Sequence, residues 1–313
     1  MPAPVAATPE TIARAGALLR DGGLVVIPTE TVYGLAADAT DARAVARIFE
    51  AKGRPHFNPL IAHVPDIEEA QRHAHLPPAA LALAERFWPG PLTIVAPRRA
   101  DSPICDLARA GLESVALRAP RHPVARAVLI AAGRPLAAPS ANLSGHVSPT
   151  RAAHAAADFG DKVDLILDGG PCEVGLESAV VAFPANGPPA LLRQGAVTAE
   201  EIEAITGPLT RPGTGDAITA PGMLARHYAP RAHLRLNAEA PMHGEDFLAF
   251  GPTANGALNL SLAGSLTEAA ANLFAHLRQL DEAGAQIIAI APIPETGLGA
   301  AINDRLRRAA EGR

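Results

Sequence analysis

Short apolar runs alternate with helix-like patterns over the first two-thirds of the chain. The runs fall at residues 24–28, 60–64, 92–96, 114–117, 136–138, 165–167 and 179–183. Each is too short for an ordinary helix and reads as a buried strand. Between several of them apolar positions recur at helical spacing, as in Ala44, Val45, Ile48 and Phe49, with Asp41 placed to cap the start. Thr8 followed by Pro9 reads as an N-cap with proline in the first turn, opening a helix that ends near Asp21-Gly22-Gly23. Thr198 with Glu201 three residues on forms a capping box for a short helix ending near Gly207. The pattern predicts an α/β fold with a large, twisted, mixed sheet and flanking helices.

The pattern then changes. Pro208, Pro212, Gly213, Gly215, Pro221, Gly222 and Pro230 crowd one stretch, which is turn chemistry without a regular period. Within it, residues 221–230 (Pro-Gly-Met-Leu-Ala-Arg-His-Tyr-Ala-Pro) carry too many large side chains for pure disorder and are expected to dock. A smaller, Rossmann-like α/β unit follows. Residues 247–250 and 286–290 read as strands. Residues 267–282 read as a helix with Ala270, Leu273, Phe274 and Leu277 inward, and a last helix runs from about 299 to 310. The expected division is 1–206, a linker at 207–232 acting as a lid, and 233–313.

Composition narrows the classes. Hydrophobic residues make up 48% of 313 and mean hydropathy is +0.13, so a sizeable core is available. Aromatics are only 4%, so that core is aliphatic. No apolar run is long enough to span a membrane, and the N-terminus has no secretory pattern. Cys105 and Cys172 lie far apart with no metal-site or disulfide spacing, which fits a reducing cytoplasm. The formal charge of −5 argues against a broad grip on nucleic acid. Nearly all positive charge is arginine. The two lysines are Lys52 and Lys162, and a lysine at 52 points to a need for a compact charge there.

There is no P-loop, no GxGxxG between strand and helix, and no GxSxG elbow. Five clusters remain. The hydroxyl-rich 28–35 segment follows a strand, and on its own an ordinary polar turn is the simpler reading. Lys52-Gly53-Arg54-Pro55 at a helix end either serves the helix dipole or aims two cations at one anion. His63 in the next strand reads equally as a core histidine. Arg118, near the carboxyl end of a strand, faces either solvent or the ligand crevice. Pro139-Ser140-Ala141-Asn142-Leu143-Ser144-Gly145 and Ser148-Pro149-Thr150 offer neutral hydrogen bonds for phosphate or ribose, or a helix cap. Asp168-Gly169-Gly170, Gly175-Leu176-Glu177-Ser178 and Leu192-Arg193-Gln194-Gly195 are weak singly.

In series these segments are distinctive. Residues 28–35, 52–60, 87–92, 114–120, 139–145, 148–150, 175–180, 192–195 and 221–230 resemble the threonylcarbamoyl-AMP synthase family in its long form, a YrdC-like catalytic domain followed by an accessory domain. Residues 270–274 and 298–306 resemble that accessory domain. The resemblance implies an enzyme that joins L-threonine, bicarbonate and ATP into threonylcarbamoyl-AMP and pyrophosphate, the first step of a tRNA modification. It implies threonine binding by Thr31, His63, Arg118, the Ala138 backbone and Ser178. It implies ATP binding by Arg54, Asn58, Ser114, Ser140, Asn142, Ser148, Arg193 and Tyr228, with Lys52 near the phosphates and the carbamate. Lys52 and Arg54 are the expected catalytic pair.

Mg²⁺ is expected with ATP, without a designated metal ligand in the chain. The functional partner is expected to be the downstream tRNA threonylcarbamoyl transferase, with no strong tRNA binding and no membrane. Two positions depart from the family pattern: Ala179 stands where Thr is expected, and Ser114 where Thr is common. The alternative reading is a double-stranded RNA-binding or ribosome-maturation module, which the net charge disfavours. A carbamoyl-phosphate-using transferase domain is disfavoured by the lack of zinc-finger cysteines.

Overall fold

The computed structural model describes residues 3–211, 213, 227–252 and 258–311. Helix starts follow the local chemistry read from the sequence. Thr8 caps Pro9–Arg20, accepting from the Thr11 N–H at 3.2 Å, although the reciprocal partner is Thr11 and not an acid. Asp41 caps Ala42–Lys52 through the Arg43 N–H at 2.8 Å. Thr198 and Glu201 exchange hydrogen bonds at the start of Ala199–Thr206.

Ten strands form one mixed sheet, in the spatial order Val5–Ala6, Leu165–Asp168, Val25–Ile27, Gly34–Asp38, Leu136–Ala137, Ile61–His63, Ser114–Arg118, Leu92–Pro97, Ala179–Ala182 and Ala190–Arg193. Gly34–Asp38 is not among the strands expected from the sequence, and its first two residues fall in the hydroxyl-rich 28–35 segment. Its small residues lack the β-branched signature, and it is recruited as a strand by pairing with Val25–Ile27 and Leu136–Ala137. The two-residue edge strand Val5–Ala6 likewise exists through its neighbour, Leu165–Asp168. A second sheet, entirely parallel, runs His233–Arg235, Ile287–Ile290, Asp246–Ala249, Leu258–Asn259, with helices Leu266–Glu282 and Leu298–Ala310. Most of the expected linker, residues 212 and 214–226, lies outside the described residues.

The second unit does not close its core alone. Val32, Val147 and Leu176 from the large-sheet unit pack with Leu273, Phe274 and Ile302 in one apolar cluster. Gly175 makes that approach possible: its φ is 74°, and a Cβ there would stand 2.4 Å from the Ala270 carbonyl oxygen on the opposing helix. Two buried ion pairs cross the same seam, Arg278 to Asp158 at 2.6 Å and Arg305 to Glu177 at 2.9 Å.

Gly195 serves the first unit in the same way. A Cβ at this position would lie 2.0 Å from the Ala179 amide nitrogen, and backbone cannot swing aside as a side chain can. Gly195→Ala is therefore expected to cost at least about 1–3 kcal/mol, read as a lower urea midpoint. An unchanged midpoint would contradict this packing.

Candidate functional site

The site stands on one face of the middle of the large sheet. Alternate side chains along a strand face opposite ways. The Ile61–His63 and Ser114–Arg118 strands are parallel, with Ile61 opposite Ala116 and His63 opposite Arg118. His63 and Arg118 thus stand together at two strand carboxyl ends, where α/β sheets place ligands. One step back on the same face, Ile61 and Ala116 join Val95, Val180 and Leu192 in a small apolar cluster. A bulge between Leu191 and Arg193 breaks the alternation of the neighbouring strand. Leu192 joins the cluster, and Arg193 still donates to the Ser178 carbonyl at 3.0 Å and hydroxyl at 3.1 Å.

These groups enclose a cavity lined by Thr31, Arg54, His63, Arg118, Ala138, Ser140, Ser178 and Arg193, with His227 and Tyr228 also in its wall. Its free volume is about 50 Å³, room for a few waters at roughly 10–15 Å³ each. His227 also borders a second cavity of about 680 Å³ at the seam between the units, beside Ser144, His146, Asp158 and Arg278.

Each arginine of the small cavity is held in place. Arg118 donates to the Gly90 carbonyl at 3.2 Å, the Thr31 hydroxyl at 2.8 Å and the Glu30 carboxylate at 2.7 Å. Glu30 also accepts from the Arg121 N–H at 3.1 Å. Burial alone would raise the Glu30 carboxyl, but the Arg118 charge and these hydrogen bonds hold it below its ordinary value. Arg54 donates to the backbone carbonyls of Asn58 and Pro59. Burial, with Arg193 nearby, brings its pKa down to about 10. Burial lowers Arg193 as well. The His63 imidazole is pushed down to about 3 by burial and by Arg118, so it is neutral in the folded protein.

Lys52 and Arg54 do not aim at one point. Gly53 ends the helix in the left-handed conformation, and Arg54 turns into the cavity. The buried Lys52 ammonium instead donates to the Ser140 and Asn142 carbonyls, fixing the loop that carries Ser140. Asn142 donates to the Leu143 and His146 carbonyls and braces the same loop. Ser148 donates to Glu177 at 2.5 Å, and Glu177 takes Arg305 on its other oxygen. Tyr228 adopts a positive φ of 64°, uncommon for an aromatic residue. It is held between Phe274, stacked at 5.6 Å, and the Arg305 guanidinium at 5.2 Å. Asn58 and Ser114 are not in the lining of the cavity; Ser114 opens the strand that ends at Arg118, and Asn58 presents its backbone carbonyl to Arg54.

Comparison with known proteins gives the same reading. A family model described as "Telomere recombination" matches residues 17–195, and one described as "Threonylcarbamoyl-AMP synthase, C-terminal domain" matches residues 197–311. The chain belongs to the threonylcarbamoyl-AMP synthase family. It is 42% identical to the Pyrococcus abyssi threonylcarbamoyl-AMP synthase over 95% of this chain and 93% of that protein. It is 41% identical to the Bacillus subtilis synthase over 96% and 93%. The crystal structure of Pyrococcus abyssi Sua5 complexed with L-threonine superposes with a TM-score of 0.89 at 40% identity, covering 97% of this chain and 95% of that one.

Within this synthase fold, the Ala179 departure is on the face turned away from the cavity. Ala179 packs in the main core, whereas Ser178 and Val180 face the site. Glu30, Glu177, Arg305 and His227 were not picked out from the sequence. Each sits inside a segment that was quoted, but their partners are distant in sequence and no local spacing announces them.

Two outcomes follow from these partnerships. Arg305→Met would strand the Glu177 carboxylate, at a cost of about 3–5 kcal/mol, visible as a lower denaturant midpoint. His63 also gives a pH dependence. The unfolded chain takes up this proton near 6.5 and the folded protein only near 3. Stability held by the neutral imidazole is complete above about 6.5 and is lost progressively as pH falls from there to about 3. His63→Gln, which cannot charge, is expected to flatten part of that slope in pH-dependent urea titrations, and an unaltered slope would contradict the assignment.

Proposed function

We propose that this chain makes threonylcarbamoyl-AMP from L-threonine, bicarbonate and ATP, releasing pyrophosphate, with residues 1–206 as catalytic domain, 207–232 as linker and 233–313 as accessory domain. The observation that carries the reading is the convergence of Arg54, Arg118 and Arg193 on one small cavity, in a chain that matches, over 97% of its length, a relative crystallised with L-threonine. Every reactant is anionic at some stage, so the main barrier is bringing like charges together. A cationic, water-poor pocket answers that need without a side-chain nucleophile.

In this reading the Arg118 fork takes the threonine carboxylate, with Thr31, His63, the Ala138 backbone and Ser178 around the rest of the amino acid. The amine condenses with bicarbonate to a carbamate, with loss of water. The new carboxylate oxygen attacks the α-phosphorus of ATP, and pyrophosphate leaves. Arg54, Arg193, Ser140 and Ser148 serve the nucleotide. Lys52 and Asn142 act from beneath, by fixing the Ser140 loop. Tyr228 covers the nucleotide side and moves to admit it. Orientation of the reactants contributes roughly 7–11 kcal/mol. Selection of threonine over serine by one methyl is worth about 1–3 kcal/mol, so serine is a poor substrate.

Mg²⁺ enters as part of its ATP complex. Among the described residues no group of three or more His, Cys, Asp or Glu side chains gathers to hold a metal, and Glu177 is engaged by Arg305 and Ser148. A metal carried by phosphates and waters fits such a site. The charge of −5 supports a weak grip on tRNA, and the protein is read as acting in the cytoplasm ahead of a separate tRNA-transferring enzyme. Among the described residues no helix is long and apolar enough to cross a membrane.

Purified protein with MgATP is expected to release pyrophosphate only when both L-threonine and bicarbonate are present, with serine well below threonine. Arg118→Ala is expected to lose at least about 100-fold in kcat/KM for threonine, the scale of a lost charged hydrogen-bonding partner. Release independent of threonine, in protein shown to be folded, would overturn the proposal.

A further inference from the structure

One hydrogen bond beneath the cavity has a direction that the chemistry of its partners decides. Ser178 is buried in the cavity wall. Its hydroxyl lies 2.7 Å from the hydroxyl of Thr93, on the neighbouring strand Leu92–Pro97. That strand runs parallel to Ala179–Ala182, with Thr93 opposite Val180. Thr93 therefore faces the same way as Val95 in the small apolar cluster, and Ser178 the same way as Val180. Thr93 is fully buried and takes no part in the cavity lining. Among the described residues, Ser178 is the one hydrogen-bond partner of its side chain. The Ser178 oxygen has a second partner, the Arg193 Nη2 at 3.1 Å.

Two hydroxyl protons share one contact, so one of them must look elsewhere. Arginine only donates, so Arg193 occupies one lone pair of Ser178 and takes no proton from it. If Ser178 gave its proton to Thr93, the Thr93 proton would be buried without an acceptor, and an unmade buried donor costs its full desolvation. If Thr93 gives its proton to Ser178, the donor left over is the Ser178 O–H, which borders the cavity. An oxygen that accepts twice is also polarised to donate more strongly. We propose that Thr93 is a positioning residue that presents Ser178 to the cavity as a hydrogen-bond donor, directed at an anionic oxygen of the amino-acid substrate. That oxygen belongs to the threonine carboxylate or to the carbamate that forms on its amine. With both lone pairs occupied, Ser178 cannot accept from the threonine ammonium. The substrate assignment rests on the functional reading above, whereas the direction of the Thr93–Ser178 bond rests on the side chains alone.

Thr93→Val removes the hydroxyl and keeps the shape. In the ligand-free full chain it is expected to lower the melting temperature of wild type by roughly 1–3 °C, the scale of one lost hydrogen bond. It is expected to raise that of Ser178→Ala, where the Thr93 proton has lost its acceptor. The opposite bond direction leaves the Thr93 proton unmet in both backgrounds, so a rise in both melting temperatures would overturn the inference. Thr93→Val is also expected to weaken the amino-acid step roughly 3- to 10-fold, with MgATP binding unchanged and Thr93→Ser restoring most of the loss. Weaker equilibrium binding of L-threonine, with kcat held, assigns the donor to the carboxylate. Unchanged binding with a lower kcat for pyrophosphate release assigns it to the carbamate. Wild-type binding and kcat in Thr93→Val, a loss that Thr93→Ser does not restore, or an equal loss of MgATP binding would each overturn the positioning role. If wild type itself neither binds L-threonine nor releases pyrophosphate with it, the functional reading and the substrate assignment fail together, and the two melting temperatures still decide the bond direction.

Discussion

The structure turns on positive charge held out of water. Lys52, Arg54, Arg118, Arg193 and Arg305 are all buried within one region, and the buried carboxylates beside them are Glu30 and Glu177. Burial lowers Lys52, Arg54 and Arg193 below their ordinary pKa values, the direction expected for charge held out of water. An anion in the cavity relieves that cost. Arginine suits the purpose because it stays protonated even when its pKa falls to about 10. The same excess explains why each cation is tied by directional hydrogen bonds to carbonyls, hydroxyls or carboxylates. Repelling groups hold their geometry only when something else fixes it.

The seam between the two units depends on this charge balance. Arg305 comes from the accessory unit yet is fully enclosed, and its partner Glu177 lies beside the cavity and also holds Ser148. Tyr228 is packed between Arg305 and Phe274, both from that unit. The accessory unit therefore supports the wall of the site as well as completing a shared core. Removing it would expose Val32, Val147 and Leu176 and leave Glu177 without its cation.

Much of the fold was legible because it is written locally. Caps at Thr8, Asp41 and Thr198 set helix starts, and the apolar runs marked the central strands. The strands that escaped notice, such as Gly34–Asp38 and Val5–Ala6, are made by their neighbours and not by their own residues. At the site, the arginines and hydroxyls were legible through the order of their segments. The divergence of Lys52 from Arg54 was not, because the direction of a side chain after a left-handed glycine depends on the loop that meets it. Glu30, Glu177 and Arg305 were hidden for a related reason: a buried ion pair spans distant positions, and each half looks like an ordinary surface charge in sequence.

The central claim is that the cavity joins three anionic reactants into one adenylate. The most direct measurement is mass spectrometry of the products formed from MgATP, L-threonine and [13C]bicarbonate. The account predicts threonylcarbamoyl-AMP carrying a single 13C, with pyrophosphate in equal amount. AMP and pyrophosphate with no labelled adduct at any time, or ADP and phosphate in their place, would contradict it.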